Sequence, residues 1–250
     1  MIVLGLDTAT RSSAVALRTA DGHTLQARDD PGPGAHPGHA TRLLSMTSEL
    51  LVRARVRWGG LERIAVGVGP GRFTGLRVGI ATARGLAQSL SVELVGVPSL
   101  RTLAEAVAPR CSEQEIVLSV IDARRGQVFA AAYATATAGP LRELESPRAL
   151  RPEELAGAVR QIDELHGAGA SRWLAIGDGA VLYRGALEDA GVAVAGDGSP
   201  EHLIDARVVC ELATRLAPAG TLEQVVPDYR RAPDAQLARE RVALAGGSAR

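Results

Sequence analysis

Lysine is absent from this sequence, so all 28 of its basic residues are arginines. The absence excludes a Schiff-base lysine, a lysine nucleophile and the lysine of a P-loop. Cysteine is scarce too: Cys111 and Cys210 stand far apart and form neither a zinc-ligand spacing nor a disulfide framework. This cysteine usage favours a reducing compartment, and we expect the protein to be cytoplasmic.

Long apolar runs and an excess of charge are also missing. No run reaches the roughly 18 residues that a transmembrane helix needs, and no basic region precedes the apolar residues of the N-terminal "MIVLGLDTAT", as it would in a signal peptide. Acidic residues also number 28, which gives a formal net charge of zero. A chain without net charge has no overall electrostatic field that attracts nucleic acid or an anionic membrane. If the protein acts on RNA, we therefore expect it to do so through a partner.

What the sequence does contain is a succession of strand and helix patterns. Apolar runs at residues 2–6, 14–18 and 23–28 predict three strands joined by short turns, followed by a Pro/Gly-rich loop. A helical period then begins at Thr41 and ends near Ala54. After it, "RIAVGVG" predicts a buried strand, and apolar residues spaced by three and four predict a second helix.

The second half repeats the plan of the first. "IVLSVIDARRGQVF" has the same order of apolar run, aspartate and polar turn as "IVLGLDTATRSSAV", and "WLAIGDGA" follows the pattern of "IAVGVGPG". A further helix is predicted over residues 201–217, with Leu203 on its apolar face. The repeat predicts an α/β protein of two related lobes with a cleft between them, over residues 1–108 and 109–233, with a flexible tail at 234–250.

The segment "GVGPGRFTGLRVG" lies between a predicted strand and a predicted helix. One interpretation is a phosphate loop, because glycines admit a ligand close to the backbone and helix N-termini bind anions. Neither G-x-G-x-x-G nor G-x-x-x-x-G-K-[ST] occurs in it.

The alternative interpretation of this segment is steric. Residues 69–71 make the turn, Thr74 caps the helix, and Gly75 and Gly79 let another backbone pack closely, with Gly85 extending the small face.

Two aspartates and two histidines are further candidates. Asp7 and Asp122 each end a predicted strand, where an actin-like or sugar-kinase-like fold has carboxylates that handle metal-bound phosphate; alternatively, each accepts hydrogen bonds in its own turn. His36 and His39 lie in the Pro/Gly-rich loop without a third ligand nearby, so we expect no metal site.

The first predicted helix carries a broad apolar stripe, in which the pair Leu43/Leu44 recurs seven residues later as Leu50/Leu51. Half of the stripe is expected to cover the helix's own sheet, and half is a candidate interface, since this spacing also suits helix pairing between subunits. The positions predicted to face a partner are Leu43, Met46, Leu50, Leu51, Arg77 and Arg84.

Several ordered segments resemble the TsaB (YeaZ) family. "GVGPGRFTGLRVG" is similar to that family's G-P-G-[small]-F-T-G-[LV]-R-[IV]-G hallmark, "LGLDTATRSSAVAL" to its opening strands, "HATRLLSMTSELL" to its first helix, "VIDARRGQVFAAAY" to the start of its second lobe and "PDYRR" to its closing motif. The hallmark positions in this chain are Gly69, Pro70, Gly71, Phe73, Thr74, Gly75, Arg77 and Gly79.

The resemblance implies an actin-like, Hsp70-like ATPase (ASKHA) fold whose nucleotide machinery has decayed, with Asp7 and Asp122 marking a vestigial site. It also implies a non-catalytic scaffold that supports N6-threonylcarbamoyladenosine formation at position 37 of tRNAs reading codons that begin with A. The partners it implies are a TsaD-type transferase and a TsaE-type ATPase, with tRNA reached through the complex. We further expect no cofactor on the chain alone, ATP at the partner interface as a possibility, and a homodimer without the partner.

Two rival functions stay open from the residues. One is an active small-molecule kinase or ATPase of the same fold that uses Asp7 near a metal and residues 69–74 on phosphate; the other is a metallopeptidase-like protein. The chain also departs from the family at two places. Arg72 stands where a small residue is usual, and the Pro/Gly loop over residues 31–38 is longer than expected, so contacts at both places are open.

Overall fold

Two five-stranded mixed sheets with the same strand order organise the chain. The computed structural model describes residues 1–32, 34–112, 115–135, 139–166 and 172–230. The first sheet comprises β1 (Val3–Asp7), β2 (Ser13–Arg18), β3 (Thr24–Asp29), β4 (Arg63–Gly69) and β5 (Glu93–Pro98). The second comprises β6 (Glu115–Arg124), β7 (Gln127–Ala134), β8 (Arg142–Leu150), β9 (Arg172–Ile176) and β10 (Ala193–Val194).

The strand order confirms the predicted internal repeat. The first sheet runs β3-β2-β1-β4-β5 and the second β8-β7-β6-β9-β10, so each strand of one half has a counterpart in the other. In both sheets the first hairpin is antiparallel and the strands on the other side of the central strand are parallel to it. Every residue of β1 is buried because helices cover both faces of the sheet, which explains its continuous apolar run.

Seven helices flank these sheets in the described part of the chain. They are α1 (His39–Ala54), α2 (Phe73–Leu90), α3 (Ser99–Val107), α4 (Leu155–His166), α5 (Asp178–Leu182), α6 (Arg184–Glu188) and α7 (Ala206–Arg215). Helices α1 and α2 share a core with one face of the first sheet. Helices α4, α5 and α6 cover the outer face of the second sheet. None of the described helices is long and apolar enough to cross a membrane.

The last helix of each half packs on the sheet of the other half. Leu100 and Leu103 of α3 lie in one apolar cluster with Val117 of β6 and Tyr133 of β7. In return, α7 packs on β1 and β2, and its Cys210 is buried there. The expected α/β architecture is therefore confirmed, while the division into lobes at residue 108 remains a proposal, crossed by α3 and α7.

Three predicted details differ from the structure. Strands β8 and β10 were not predicted, because β8 is a half-exposed edge strand without an apolar run and β10 has two residues. Helix α7 begins at Ala206, where the Asp205 side chain accepts from the Arg207 N–H, and Leu203 lies before it. The buried face of α7 is Ala206, Val209, Cys210, Leu212 and Ala213. The predicted tail at 234–250 lies outside the described residues.

Candidate functional site

The glycines at the start of α2 pack directly on the turn between β1 and β2. A Cβ atom at Gly75 would lie 2.1 Å from the carbonyl oxygen of Thr8, and one at Gly79 would lie 2.3 Å from the Thr8 Oγ1. A Cβ at Gly71 would lie 2.4 Å from the carbonyl oxygen of Ala9. Because these separations are far below van der Waals contact, the steric interpretation of these glycines is confirmed.

Two polar groups at the start of α2 also form hydrogen bonds with the β1–β2 turn. The Arg72 N–H donates to the Ala9 carbonyl over 2.7 Å, and Thr8 Oγ1 donates to the Gly75 carbonyl over 2.8 Å. The residue at the N-cap is Arg72, without a side-chain cap bond, so the predicted capping role of Thr74 is wrong. The segment therefore turns the chain and seats α2 on the turn.

Gly69 and Gly85 were predicted to form the turn before α2 and to extend its small face, respectively. Gly69 has a positive φ of 98°, a conformation that favours glycine, so the turn at residues 69–71 is as predicted. A Cβ at Gly85 would meet no atom within 4 Å, and Gly85 is exposed. Gly85 therefore does not extend the closely packed face.

Asp7 ends β1, as predicted, and is buried under the turn. Its Oδ1 accepts from the Ala9 N–H and its Oδ2 accepts from the Ser99 hydroxyl, each over 2.7 Å. The Ser99 Oγ in turn accepts from the Gly69 N–H over 3.2 Å. Burial raises the pKa of Asp7 to about 6, although the bonds from Ala9 and Ser99 and the charge of Arg28 oppose the shift. Both carboxylate oxygens are thus used within the fold.

Asp122, the counterpart of Asp7 in the second half, lies inside β6 and does not end it, since the strand continues to Arg124. Its Oδ1 accepts from the Arg124 N–H over 2.8 Å, and its own N–H donates to Asp178 Oδ1 over 2.9 Å. Burial raises the pKa of Asp178, and the neighbouring Asp122 charge raises it further. The two carboxylates form an acidic pair at the cleft edge of the second sheet.

Arg72 reaches this acidic pair from the other lobe. Its Nη2 donates to Asp122 Oδ2 over 3.5 Å, and its side chain is only 14% exposed. Burial lowers the pKa of the Arg72 guanidinium, and the Arg124 charge lowers it further, whereas Asp178 and Asp122 raise it. The arginine that departs from the family hallmark therefore lies between the lobes, beside Asp122.

The leucine stripe of α1 does not face a partner, contrary to our prediction. Leu43, Met46, Leu50 and Leu51 are at most 2% exposed and lie in the core that α1 shares with α2 and the first sheet. Half of the stripe does pack in the core, as predicted. The four side chains that were predicted to face a partner all belong to that core half. At about 1.5–3 kcal/mol for each buried aliphatic side chain, they hold the helix on the sheet.

The exposed surface of α1 and α2 carries different side chains. Leu44 and Val52 of α1 are 50% and 75% exposed, and Phe73 of α2 is 41% exposed. Arg77 is exposed and lies over the Phe73 ring, 3.7 Å from its centroid. We call Leu44, Val52, Phe73 and Arg77 the two-helix face.

Arg84, also predicted to face a partner, is occupied within the chain. Its Nη2 donates to the carbonyls of Glu223 and Val225 over 2.8 and 2.7 Å. This half-buried side chain therefore holds the C-terminal segment on α2.

Of the two histidines, the structure buries one. His39 is the first residue of α1 rather than a loop residue, and its Nδ1 shares a 2.8 Å hydrogen bond with the hydroxyl of Ser13. Burial lowers the pKa of His39, and the Arg72 charge lowers it further. Nearby, Arg11 Nη2 donates to the Gly32 carbonyl over 2.9 Å, which ties down the Pro/Gly loop. Within the described residues, no three His, Cys, Asp or Glu side chains are grouped as metal ligands.

Sequence reasoning missed Tyr229 as part of this surface. Its hydroxyl accepts from Arg77 Nε over 2.9 Å, and its ring stacks on Phe73 with centroids 5.3 Å apart. The motif "PDYRR" was the available signal, but no local pattern pairs residues 152 positions apart.

The chain is similar in sequence and in fold to known proteins. Residues 32–171 match the model of the family described as "TsaD: tRNA N6-adenosine threonylcarbamoyltransferase". The chain is 34% identical over 179 residues, 72% of each chain, to the "tRNA threonylcarbamoyladenosine biosynthesis protein TsaB" of Escherichia coli. It is 32% identical over 133 residues to the protein of the same name from Bacillus subtilis, covering 53% of this chain and 55% of that one.

A solved structure extends the similarity over nearly the whole chain. It is described as "YeaZ from Pseudomonas aeruginosa", is 30% identical, and superimposes with a TM-score of 0.75 over 91% of this chain and 99% of that one. With the paired sheets described above, this similarity confirms the expected α/β fold class with two duplicated halves.

Proposed function

The chain belongs to the TsaB (YeaZ) family, and on that premise we propose that it is a non-catalytic subunit required for N6-threonylcarbamoyladenosine formation in tRNA. It acts by binding a TsaD-type transferase, which carries the reaction. The product is the modified adenosine at position 37 of tRNAs that read codons beginning with A.

The packing at the start of α2 is the observation that carries the proposal. The start of α2 is seated on the β1–β2 turn through Gly71, Gly75 and Gly79, and the Arg72 guanidinium lies between the lobes beside Asp122. The space beside these glycines and the Arg72 N–H, which a phosphate loop would offer to a ligand, are occupied by the β1–β2 turn. We therefore assign no step of a reaction to these residues.

The two-helix face is the surface proposed for the transferase. It combines two exposed aliphatic side chains with an aromatic ring and an arginine, and aromatic residues and arginine are enriched in protein interfaces. Helices α1 and α2 together contain four arginines and one acidic residue, Glu49, in a chain of zero net charge. A partner surface with an apolar patch bordered by carboxylates would complement this face.

Further partners belong to the same proposal. A TsaE-type ATPase joins the complex, tRNA is reached through it, and ATP binds at the partner interface rather than on this chain alone. Without the transferase, the two-helix face pairs with a second copy in a homodimer, because an isologous interface uses one patch twice. All of this takes place in the cytoplasm.

The match to a transferase family supports a second candidate, that the chain itself carries out a nucleotide-dependent or metal-dependent reaction. It would need Asp7 or Asp122 at a reacting group, yet both carboxylates are engaged in hydrogen bonds with the chain's own backbone. Saturable ATP binding by the purified chain, measured by calorimetry, would favour this candidate.

Association with the transferase tests the main proposal. The chain is mixed with the TsaD-type transferase of the same organism, and the mass of the complex is measured by size exclusion with light scattering, with and without ATP. We expect a heteromer that Leu44→Arg and Val52→Arg weaken at least about tenfold in Kd. Leu165→Arg is the matched control, because Leu165 of α4 is similarly exposed in the second lobe. No heteromer under any condition contradicts the proposal.

A further inference from the structure

After α7 the chain returns across the first lobe in a segment we call the C-terminal strap, residues 219–230. The Ala219 N–H donates to the Leu94 carbonyl of β5 over 2.9 Å, and the Asp228 N–H donates to the Val68 carbonyl of β4 over 2.8 Å. Between these points Val225 is 4% exposed and lies in the core beneath α2. The strap therefore runs along the edge of the sheet and is docked at both ends and in the middle.

Arg84 fastens the strap to α2. One guanidinium nitrogen donates to two successive parts of the strap backbone, the carbonyls of Glu223 and Val225. Backbone carbonyls bonded to a charged donor are held more firmly than those bonded to a neutral one. This clamp lies two helical turns after Arg77 on the same helix, so it fixes the strap where it approaches the two-helix face.

Where the strap reaches the start of α2, an arginine and two aromatic rings form one stack. The Arg77 guanidinium lies over Phe73, donates from Nε to the Tyr229 hydroxyl and is 5.9 Å from the centre of the Tyr229 ring. Phe73 and Tyr229 are 41% and 44% exposed. The chain has only two Trp, three Tyr and two Phe, and two of these seven lie together in this exposed stack.

We propose that the strap is part of the partner-binding surface, and that Tyr229 positions Arg77 and Phe73 for contact with an acidic and apolar protein surface. The inference rests on the proposed function, since the occupant is the transferase. Without Tyr229, Arg77 would be a flexible side chain on a helix, and its ordering would be a cost of binding. With Tyr229 and Phe73, the guanidinium is already oriented before the partner arrives.

The exposed side chains of the two-helix face and of the strap favour a protein over RNA as the occupant. Leu44 and Val52 on the two-helix face and Val226 of the strap are exposed aliphatic side chains, which neither stack on bases nor bind phosphates. Exposed tyrosine and arginine side chains are instead typical of the positions that dominate protein interfaces.

Binding of the full-length chain to the transferase, by calorimetry at two salt concentrations, tests the inference. We expect Tyr229→Ala and Arg77→Gln each to raise Kd by about 10- to 30-fold, and Tyr229→Phe, which keeps the ring on Phe73 but loses the hydroxyl that accepts from Arg77, to recover only part of the loss. Tyr229→Ala should also flatten the salt dependence of Kd, because Arg77 is no longer held toward the partner's carboxylates. Arg84→Gln should weaken binding and raise amide exchange in residues 219–230, and Leu165→Ala is the control for both measurements.

The outcomes separate the inference from the proposed function. If the unaltered chain does not bind the transferase, the proposed function fails, and the inference fails with it. If the unaltered chain binds and Tyr229→Ala binds equally well with the same salt dependence, only the inference is overturned. If Tyr229→Ala weakens the binding of a tRNA transcript but not of the transferase, the stack is an RNA platform and the inference is overturned as well.

Discussion

Arg72 and Asp122, which belong to different lobes, meet across the cleft with Nη2 and Oδ2 3.5 Å apart. Their side chains are 14% and 10% exposed, and Asp178 adds a second carboxylate beside them. The first lobe thus places a cation against an acidic pair of the second.

Replacing Arg72 by serine, the residue type usual in the family, should destabilise the protein. The change leaves the largely buried Asp122 and Asp178 carboxylates with only the more exposed Arg124, whose Nε lies 3.6 Å from Asp122 Oδ2, as an opposing cation, and we expect a loss of about 1–3 kcal/mol in the free energy of unfolding at pH 7. Urea denaturation measures it. The loss should shrink as the pH falls, because burial raises the pKa of Asp178 and its protonated carboxyl group no longer needs a cation. Arg110→Ser is the control, because the Arg110–Glu201 pair has an arginine that is 61% exposed, and should cost below about 1 kcal/mol.

Adding one methyl group to α2 should have opposite effects at two glycines. Gly75→Ala brings a Cβ to 2.1 Å from the Thr8 carbonyl, a backbone atom that cannot move without disturbing the β1–β2 turn. We expect a loss of about 2–4 kcal/mol, from the overpacking of a rigid contact. Gly85→Ala meets nothing within 4 Å and should stabilise the helix by about 0.5–1 kcal/mol. Equal effects of the two substitutions on the thermal midpoint would contradict the seating of α2 on the turn.

Asp7 should make stability depend on pH in an unusual direction for a carboxylate. Its folded pKa of about 6 lies above the ordinary value of 3.8, so the folded state holds the proton more tightly than the unfolded state. The contribution is fully present below pH 3.8 and is lost as the pH rises through about 6. At about 1.4 kcal/mol per pKa unit this loss is roughly 3 kcal/mol.

The variant Asp7→Asn isolates this effect. Asparagine keeps an oxygen that accepts from the Ala9 N–H and cannot ionise. The difference in unfolding free energy between the variant and the unaltered chain should therefore shift in favour of the variant between pH 4 and pH 7. A difference that does not change with pH would mean that Asp7 titrates near its ordinary pKa.

Leu50 and Leu44 should respond differently to truncation. Leu50 is fully buried under α1, so Leu50→Ala should cost about 2–5 kcal/mol through the lost burial and the cavity. Leu44 is half exposed, and Leu44→Ala should change stability by less than about 0.5 kcal/mol while weakening the complex with the transferase. A fall in affinity for Leu50→Ala without a fall in stability would restore the original interface assignment.

The fold could be predicted from the sequence because its signals are local. Continuous apolar runs ending at Asp7 and near Asp122 indicate buried central strands, and their repetition predicts two sheets of one design. The half-exposed strand β8 has no such run and escaped prediction.

The surface could not be predicted in the same way. Leu43 and Leu44 are neighbours in one apolar stripe, yet one is 1% and the other 50% exposed, because the position of the sheet and of α2 decides which side of the stripe is covered. The pairs Arg72–Asp122 and Arg77–Tyr229 join residues 50 and 152 positions apart. Such contacts depend on tertiary packing, and a periodic pattern carries no information on them.

Because α3 and α7 each pack on the sheet of the other half, the first sheet cannot be fully covered early in synthesis on the ribosome. The first sheet is complete when β5 ends at Pro98, but α7, which covers one of its faces, follows only at Ala206. At about 5–20 residues per second, the intervening roughly 100 residues leave an apolar sheet face uncovered for about 5–20 s. The nascent first half is therefore a natural client for chaperones, and neither half should be stable when produced alone.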